Sequence, residues 1–202
     1  MDKSPLVLLE MIERLGNLMR AEFRRIGAEE QLQPVHLHAL LYLNKANRYS
    51  NTPQALAEYL GITKGTASQS LLLLDRRGLI ERYEDELDRR VVRLRLSTAG
   101  EQFLYQAQPA QIWQQATRNI SPNRIRNASS ALREALITLQ QDAEGTQFGT
   151  CPGCQHFQKL SPRAFRCGMM GDRLTGPETR RICWLFTPKG SGEEEEEIED
   201  EE

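Results

Sequence analysis

Residues 52–97 read TPQALAEYLGITKGTASQSLLLLDRRGLIERYEDELDRRVVRLRLS, and this stretch decides the fold. Thr52-Pro53 is a helix start. A threonine hydroxyl can accept from an unpaired N–H of the first turn, and proline loses nothing at the first helical position. Leu56, Ala57 and Leu60 make the apolar side of that helix, and Gly61 stops it. Two residues on, Thr63 is the next cap, for a helix from Lys64 to about Arg76 with Ala67, Leu71 and Leu74 inward and Gly78 at its exit. The apolar period then changes from 3.6 to 2. Val92, Leu94 and Leu96 alternate with Arg93 and Arg95, a half-buried strand with the arginines outward; Ile80 to Tyr83 is its partner and Glu84 to Arg89 the polar turn. Helix, tight turn, helix and arginine-rich hairpin is the order of a winged helix-turn-helix. In that module the second helix enters the major groove and the hairpin reaches the backbone or minor groove beside it.

On either side the pattern is helical. Leu8, Ile12, Leu15, Met19, Phe23 and Ile26 recur at three- and four-residue spacings over residues 6–27. Pro34 opens a second helix, and Asn44 to Asn51 is a polar connector to Thr52. After the hairpin, helices are expected from Thr98 to about Ala116, broken near Pro109, and from Pro122 to about Ala143. The fold class is therefore mostly α with a small β-hairpin wing. His36 and His38, two apart, share no helix face and read as packing or surface residues.

The net charge of −2 conceals an asymmetry: nine of the last ten residues, 193–202, are acidic, which leaves the rest of the chain at about +7. A basic body suits a polyanion, and an acidic run is a solvated, disordered tail or a competitor of DNA for the basic wing. No apolar run approaches the ~20 residues that span a bilayer, and Glu10 and Glu13 inside the first amphipathic stretch are not those of a secretory leader. A cytoplasmic location without membrane contact follows, and there disulfides are uncommon.

Thr63, Lys64, Thr66, Ser68, Gln69 and Ser70 gather hydrogen-bonding groups and one cation on the N-terminal half of the second helix, where base edges are first met. Gln pairs with adenine, while Ser and Thr serve bases or phosphates. At the hairpin tip, Arg89 and Arg90 suit phosphates or a narrow minor groove, with Asp88 orienting a neighbouring arginine. No paired-carboxylate pocket, nucleophile–base pair or phosphate loop points to an enzyme.

The run LAEYLGITKGTASQSLLLLDRRGLIERYEDELDRRVVRLRLSTAGEQFL resembles the core of MarR-type transcriptional regulators. The matching positions are Leu60-Gly61, Thr63, Leu74, Gly78-Leu79-Ile80, Arg82, Asp88, Arg90, Leu96-Ser97 and Gly100. The resemblance extends over roughly residues 6–143. It implies a homodimer built from the first and last helices, a pseudo-palindromic operator, repression, and an effector held between the dimer helices and the winged domains. Two positions depart: Leu72 replaces a more usual polar or acidic residue, and Ser97 the more usual threonine.

All four cysteines, Cys151, Cys154, Cys167 and Cys183, fall within 33 residues as C-x2-C-x12-C-x15-C. A segment of about 45 residues with few large apolar side chains rarely sustains a core without a metal, disulfides or docking. A thioredoxin-like catalyst needs its C-x-x-C after a strand, and none precedes Cys151. A four-thiolate metal site fits best. Zinc and an iron–sulfur cluster stand nearly level: the Cys-Pro-Gly-Cys knuckle tips toward zinc, the irregular spacing suits a cluster, and His156 offers a substitute ligand. The chain thus divides into a winged-helix DNA-binding and dimerisation domain (1–144), a metal-binding module (145–190) and an acidic tail (191–202). Directly following the last helix, the module is expected to pack on the dimerisation helices and to sense metal or redox state there. The alternative is a scaffold protein that binds other proteins through the winged domain and a structural zinc module.

Overall fold

The computed structural model describes residues 4–86, 88–107, 111–142 and 146–189. Helices α1 (Ser4–Ala28), α2 (Pro34–Lys45), α3 (Pro53–Leu60) and α4 (Lys64–Arg76) lead into an antiparallel hairpin of β1 (Ile80–Glu84) and β2 (Val92–Leu96). Helices α5 (Thr98–Ala107), α6 (Gln111–Thr117) and α7 (Pro122–Asp142) follow. The break expected at Pro109 lies outside the described residues. The acidic tail, 191–202, lies outside them too, as do the ends of the expected domains at 144 and 190.

The helix-turn-helix forms as its sequence dictates. Thr52 Oγ1 accepts from the Ala55 N–H (3.2 Å) and Thr63 Oγ1 from the Thr66 N–H (3.1 Å). Gly61, at φ 61°, takes the left-handed turn between α3 and α4 that a side chain would strain. Leu37, Leu40, Leu56, Leu71, Leu74, Ile80 and Leu94 are sealed in one core that joins α2, α3, α4 and the wing. Each such side chain contributes roughly 1.5–3 kcal/mol by leaving water. Behind the wing, a Cβ on Gly100 would stand 2.0 Å from the Leu79 carbonyl oxygen, so only glycine lets α5 approach β1.

The outer helices are apolar and uncovered. On α1, Phe23 and Gly27 are buried and Met19 and Ile26 pack on the core, while Leu8, Ile12 and Leu15 face outward. On α7, Leu132, Leu136 and Leu139 are exposed, Leu139 by 68%.

The cysteine-bearing segment has more structure than its sequence suggested. A 3₁₀ turn over Cys151–Gly153 precedes a three-stranded antiparallel sheet of β3 (Phe157–Ser161), β4 (Ala164–Cys167) and β5 (Arg173–Leu174), and then α8 (Gly176–Thr179). Phe157 and Phe165 stack across β3 and β4 with centroids 5.7 Å apart. This segment does not dock as expected. Its hydrogen bonds reach the end of α2 and the α2–α3 connector, and Thr146 reaches Glu58 of α3: the Asn47 N–H donates to the Ile182 carbonyl (2.9 Å), the Ile182 N–H to the Lys45 carbonyl (2.8 Å), and Arg181 Nη1 to the Ala46 carbonyl (3.1 Å). Arg48 pairs with Glu178, and the Tyr49 hydroxyl donates to Asp172 Oδ2 (2.6 Å). The connector sequence is polar because its side chains hold this junction. Asn47 and Ser50 are buried, not solvated.

Candidate nucleic-acid interface and four-thiol cavity

Along α4, Lys64, Thr66, Ser68 and Gln69 are exposed, as the sequence led us to expect. Thr63 is exposed too, but its hydroxyl is engaged in the cap and lies 2.9 Å from Thr66 Oγ1. Ser70 corrects the expectation. It is only 4% exposed, because positions 67, 70, 71 and 74 fall at i, i+3, i+4 and i+7 and share the inward face. Leu72 is on the outer side, 37% exposed.

The wing tip is built by aspartates. The Asp88 N–H donates to Asp85 Oδ1 (3.0 Å), the Arg90 N–H to Asp88 Oδ1 (3.0 Å), and the Asp85 N–H to the Val91 carbonyl (3.0 Å). Asp88 therefore orients Arg90 chiefly through the backbone; its Oδ1 stands 3.9 Å from Arg90 Nε. The Arg90 side chain is 94% exposed, and Arg89 is exposed beside it. Arg93 corrects a second expectation. Instead of facing outward it is half-buried, with Nε donating to Asp85 Oδ2 (2.7 Å) and Nη1 to the Arg48 carbonyl (2.8 Å) and Asn51 Oδ1 (3.2 Å). It ties the wing to the connector. Arg95 is outward, paired with Glu81 and lying 5.3 Å from the Tyr83 ring centroid. Tip cations at Arg89 and Arg90, with Lys64 at the N-terminus of α4, give an exposed cationic surface of the kind that suits phosphates.

Of the histidines, His36 accepts the Gln33 N–H at Nδ1 (3.0 Å), part of the α2 cap, and His38 packs edge-on against Phe23. Burial lowers the pKa of both.

The four thiols are free and surround one cavity of about 20 Å³, together with Asn47, Tyr49 and His156. Cys151 and Cys154 flank the 3₁₀ turn, with the Cys154 N–H donating to the Cys151 carbonyl (2.9 Å). Cys167 ends β4, and Cys183 bridges to Gly149. Burial, reinforced by the thiols of Cys183, Cys154 and Cys167, pushes Cys151 up to about 12. Burial also raises Cys183, against hydrogen bonds from the Asn47 side chain and the Leu185 backbone. Four thiols lining one cavity are, by residue type, donors of the kind a thiophilic metal takes. Among the described residues, no group of three or more His, Cys, Asp or Glu side chains is drawn together tightly enough to hold a metal ion. The chemistry fits; the thiols line the space without closing on a single point.

Comparison with known proteins places likenesses on the helix-turn-helix part of the chain. A family model described as the MarR family matches residues 30–91. Over that stretch, about a third of the chain, the winged-helix part is similar to the MarR family. The transcriptional repressor MprA of Escherichia coli K12 is 27% identical over 139 residues, covering 66% of this chain and 74% of MprA. Among solved structures, the Staphylococcus aureus MepR–DNA complex aligns with a TM-score of 0.53 at 21% identity over 64% of this chain and 96% of MepR. BldR of Sulfolobus solfataricus aligns at 0.56 with 20% identity over 67% of this chain and 96% of BldR. These two likenesses concern the fold.

At the wing's exit, Ser97 Oγ donates to the Gly78 carbonyl and accepts from the Gly100 N–H (3.0 Å), fastening that exit to the end of α4. A groove of about 900 Å³ lined by His38, Tyr59, Leu136 and Leu139 lies between α2, α3 and α7, where the resemblance implied an effector. The four cysteines lie outside the matched residues 30–91. Among the described residues, no helix is long and apolar enough to cross a membrane.

Proposed function

We propose that this chain is a transcriptional regulator, acting as a repressor, that binds operator DNA as a cytoplasmic homodimer. The observation that carries the proposal is the joint exposure of Lys64, Thr66, Ser68 and Gln69 on α4 beside Arg89 and Arg90 at the wing tip, in a winged-helix frame similar to that of the MarR family. In this reading Gln69 and the hydroxyls of Thr66 and Ser68 address base edges, while Lys64, Arg89 and Arg90 hold phosphates. Thr63 acts by capping α4. The uncovered apolar stripes of α1 and α7 meet those of a second copy, which sets two recognition helices on half-sites about one helical turn apart, roughly 34 Å. The cysteine segment binds a thiophilic metal, zinc or an iron–sulfur cluster, through Cys151, Cys154, Cys167 and Cys183.

Selection of duplexes from a random-sequence DNA library by the full-length protein tests the function, with sedimentation to give the protein's state. Recovery of a two-fold-symmetric sequence bound by a dimer is expected. Failure to enrich any sequence, or binding by a monomer alone, contradicts the proposal.

A further inference from the structure

The cysteine segment and the wing grip the same short connector between α2 and α3. On one side of the connector, Asn47 and Tyr49 line the thiol cavity with Cys183, and the Asn47 N–H donates to the carbonyl of Ile182, the residue before Cys183 (2.9 Å). Asn47 Oδ1 accepts from the Tyr49 N–H (3.0 Å) and from Ser50 Oγ (2.6 Å). Ser50, fully buried, accepts in turn from the Trp184 N–H (2.9 Å), one residue beyond Cys183. On the other side, the Asn51 carbonyl accepts from the Leu94 N–H of β2 (2.8 Å), and its amide bonds the Tyr83 hydroxyl (2.9 Å). Arg93 spans from Asp85 at the wing to the Arg48 carbonyl and Asn51. Thr52, next in the chain, caps α3. From Cys183 to the wing, each step is a hydrogen bond or a single residue of buried backbone.

We infer that the four-thiol cavity is a metal centre whose occupancy is read by the wing through the Asn47–Asn51 connector, not through the dimer helices. The inference rests on the proposed function for its metal and for its DNA readout. Metal binding takes the protons from the four thiols and draws their sulfurs toward a common centre. Cys183 then pulls on Asn47 through Ile182, and on Ser50 through Trp184. Both contacts set the strand of backbone against which Leu94 and Arg93 register, so the metal-loaded protein holds Arg89 and Arg90 in one pose relative to α4. With the metal removed, the small cluster of Tyr49, Cys154, Cys183 and Phe186 loses its common anchor and the wing's attachment loosens. Zinc and an iron–sulfur cluster would act alike, since both take four thiolates.

The test uses full-length protein purified without oxygen. Metal analysis, acid-labile sulfide and the visible spectrum identify the occupant. Hydrogen exchange is then compared between the loaded protein and protein stripped by chelation, alongside affinity for a duplex selected by the wild-type protein. We expect about one zinc per chain, or iron with sulfide. Stripping should speed exchange in residues 45–52 and 92–96 but not in α1, and change duplex affinity by about tenfold, within the ordinary range of coupling between sites. Ser50→Ala should keep the metal, which shows the segment still folded, yet reduce both differences. Four reactive thiols with no metal, even after anaerobic reconstitution with zinc or with iron and sulfide, overturn the inference. So does a bound metal whose removal leaves exchange over 45–52 and 92–96 unchanged. If no duplex is ever enriched, the proposed function fails, and the exchange result still decides the connector.

Discussion

The winged region and the cysteine segment reach order by different means. The first, from α2 through β2, is held by a continuous core of fully buried leucines, each inward position reinforced by helix caps and by the turn at Gly61. The second has strands of five, four and two residues, a small cluster in which two of the four buried members are cysteines, and borrowed contacts to the connector. The comparison teaches that one region stands on its hydrophobic burial. The other stands on a small cluster and on its contacts with the connector.

Leu71→Ala is the harshest way to press on that difference. It empties a sealed site in the shared core and should cost about 2–5 kcal/mol in chemical denaturation, to the same extent with and without metal. Cys154→Ser should do the converse: exchange should quicken across 146–189 while Leu56 and Leu71 amides stay protected. If both variants opened both regions alike, the two would form one cooperative unit and the distinction would be lost. A smaller effect is expected at the surface of α4. Gln69→Ala should weaken binding to the selected duplex by about 1–3 kcal/mol and relax preference at one base pair, with stability unchanged. Thr63→Ala should cost about 1 kcal/mol of stability through the lost cap, so any larger loss of DNA affinity would assign Thr63 a direct contact.

The smallest effect is in pH. His36 must keep Nδ1 unprotonated to accept the Gln33 N–H, and burial, then Arg77, hold its pKa below the ordinary histidine value. The folded state therefore binds fewer protons than the unfolded chain near and below about pH 6.5, and stability present at neutral pH is lost on acidification. Melting at pH 7.5 and 5.5 measures this, and His36→Gln should flatten the slope.

The sequence exposed what is local. Thr52, Gly61 and Thr63 mark helix ends by short-range chemistry, and Leu56, Leu71 and Leu74 repeat at helical spacing, so α3, α4 and the hairpin were all legible. Ser70 was misplaced because its polarity outweighed a spacing that already put it inward. Arg93 was misplaced because alternation names a strand's two faces but not what covers each, and here the connector covers the outer one. The β3–β4–β5 sheet gave little signal: it is short, irregular between Lys159 and Ser161, and carries charged residues. The dock was invisible for a related reason. Asn47 and Ser50 read as loop residues, whereas their polarity serves partners more than 130 residues away. The cysteines, by contrast, stood out through spacing alone; they line one cavity, and among the described residues they do not draw together into a metal-holding group.

The most direct measurement is fluorescence anisotropy of a selected duplex, titrated with wild type and with the Gln69→Ala/Arg90→Ala double variant over a range of salt concentrations. Wild-type affinity should fall steeply as salt rises, and the double variant should bind at least about tenfold more weakly with a shallower salt slope. Equal affinities with no dependence on salt would contradict the assignment of α4 and the wing to DNA.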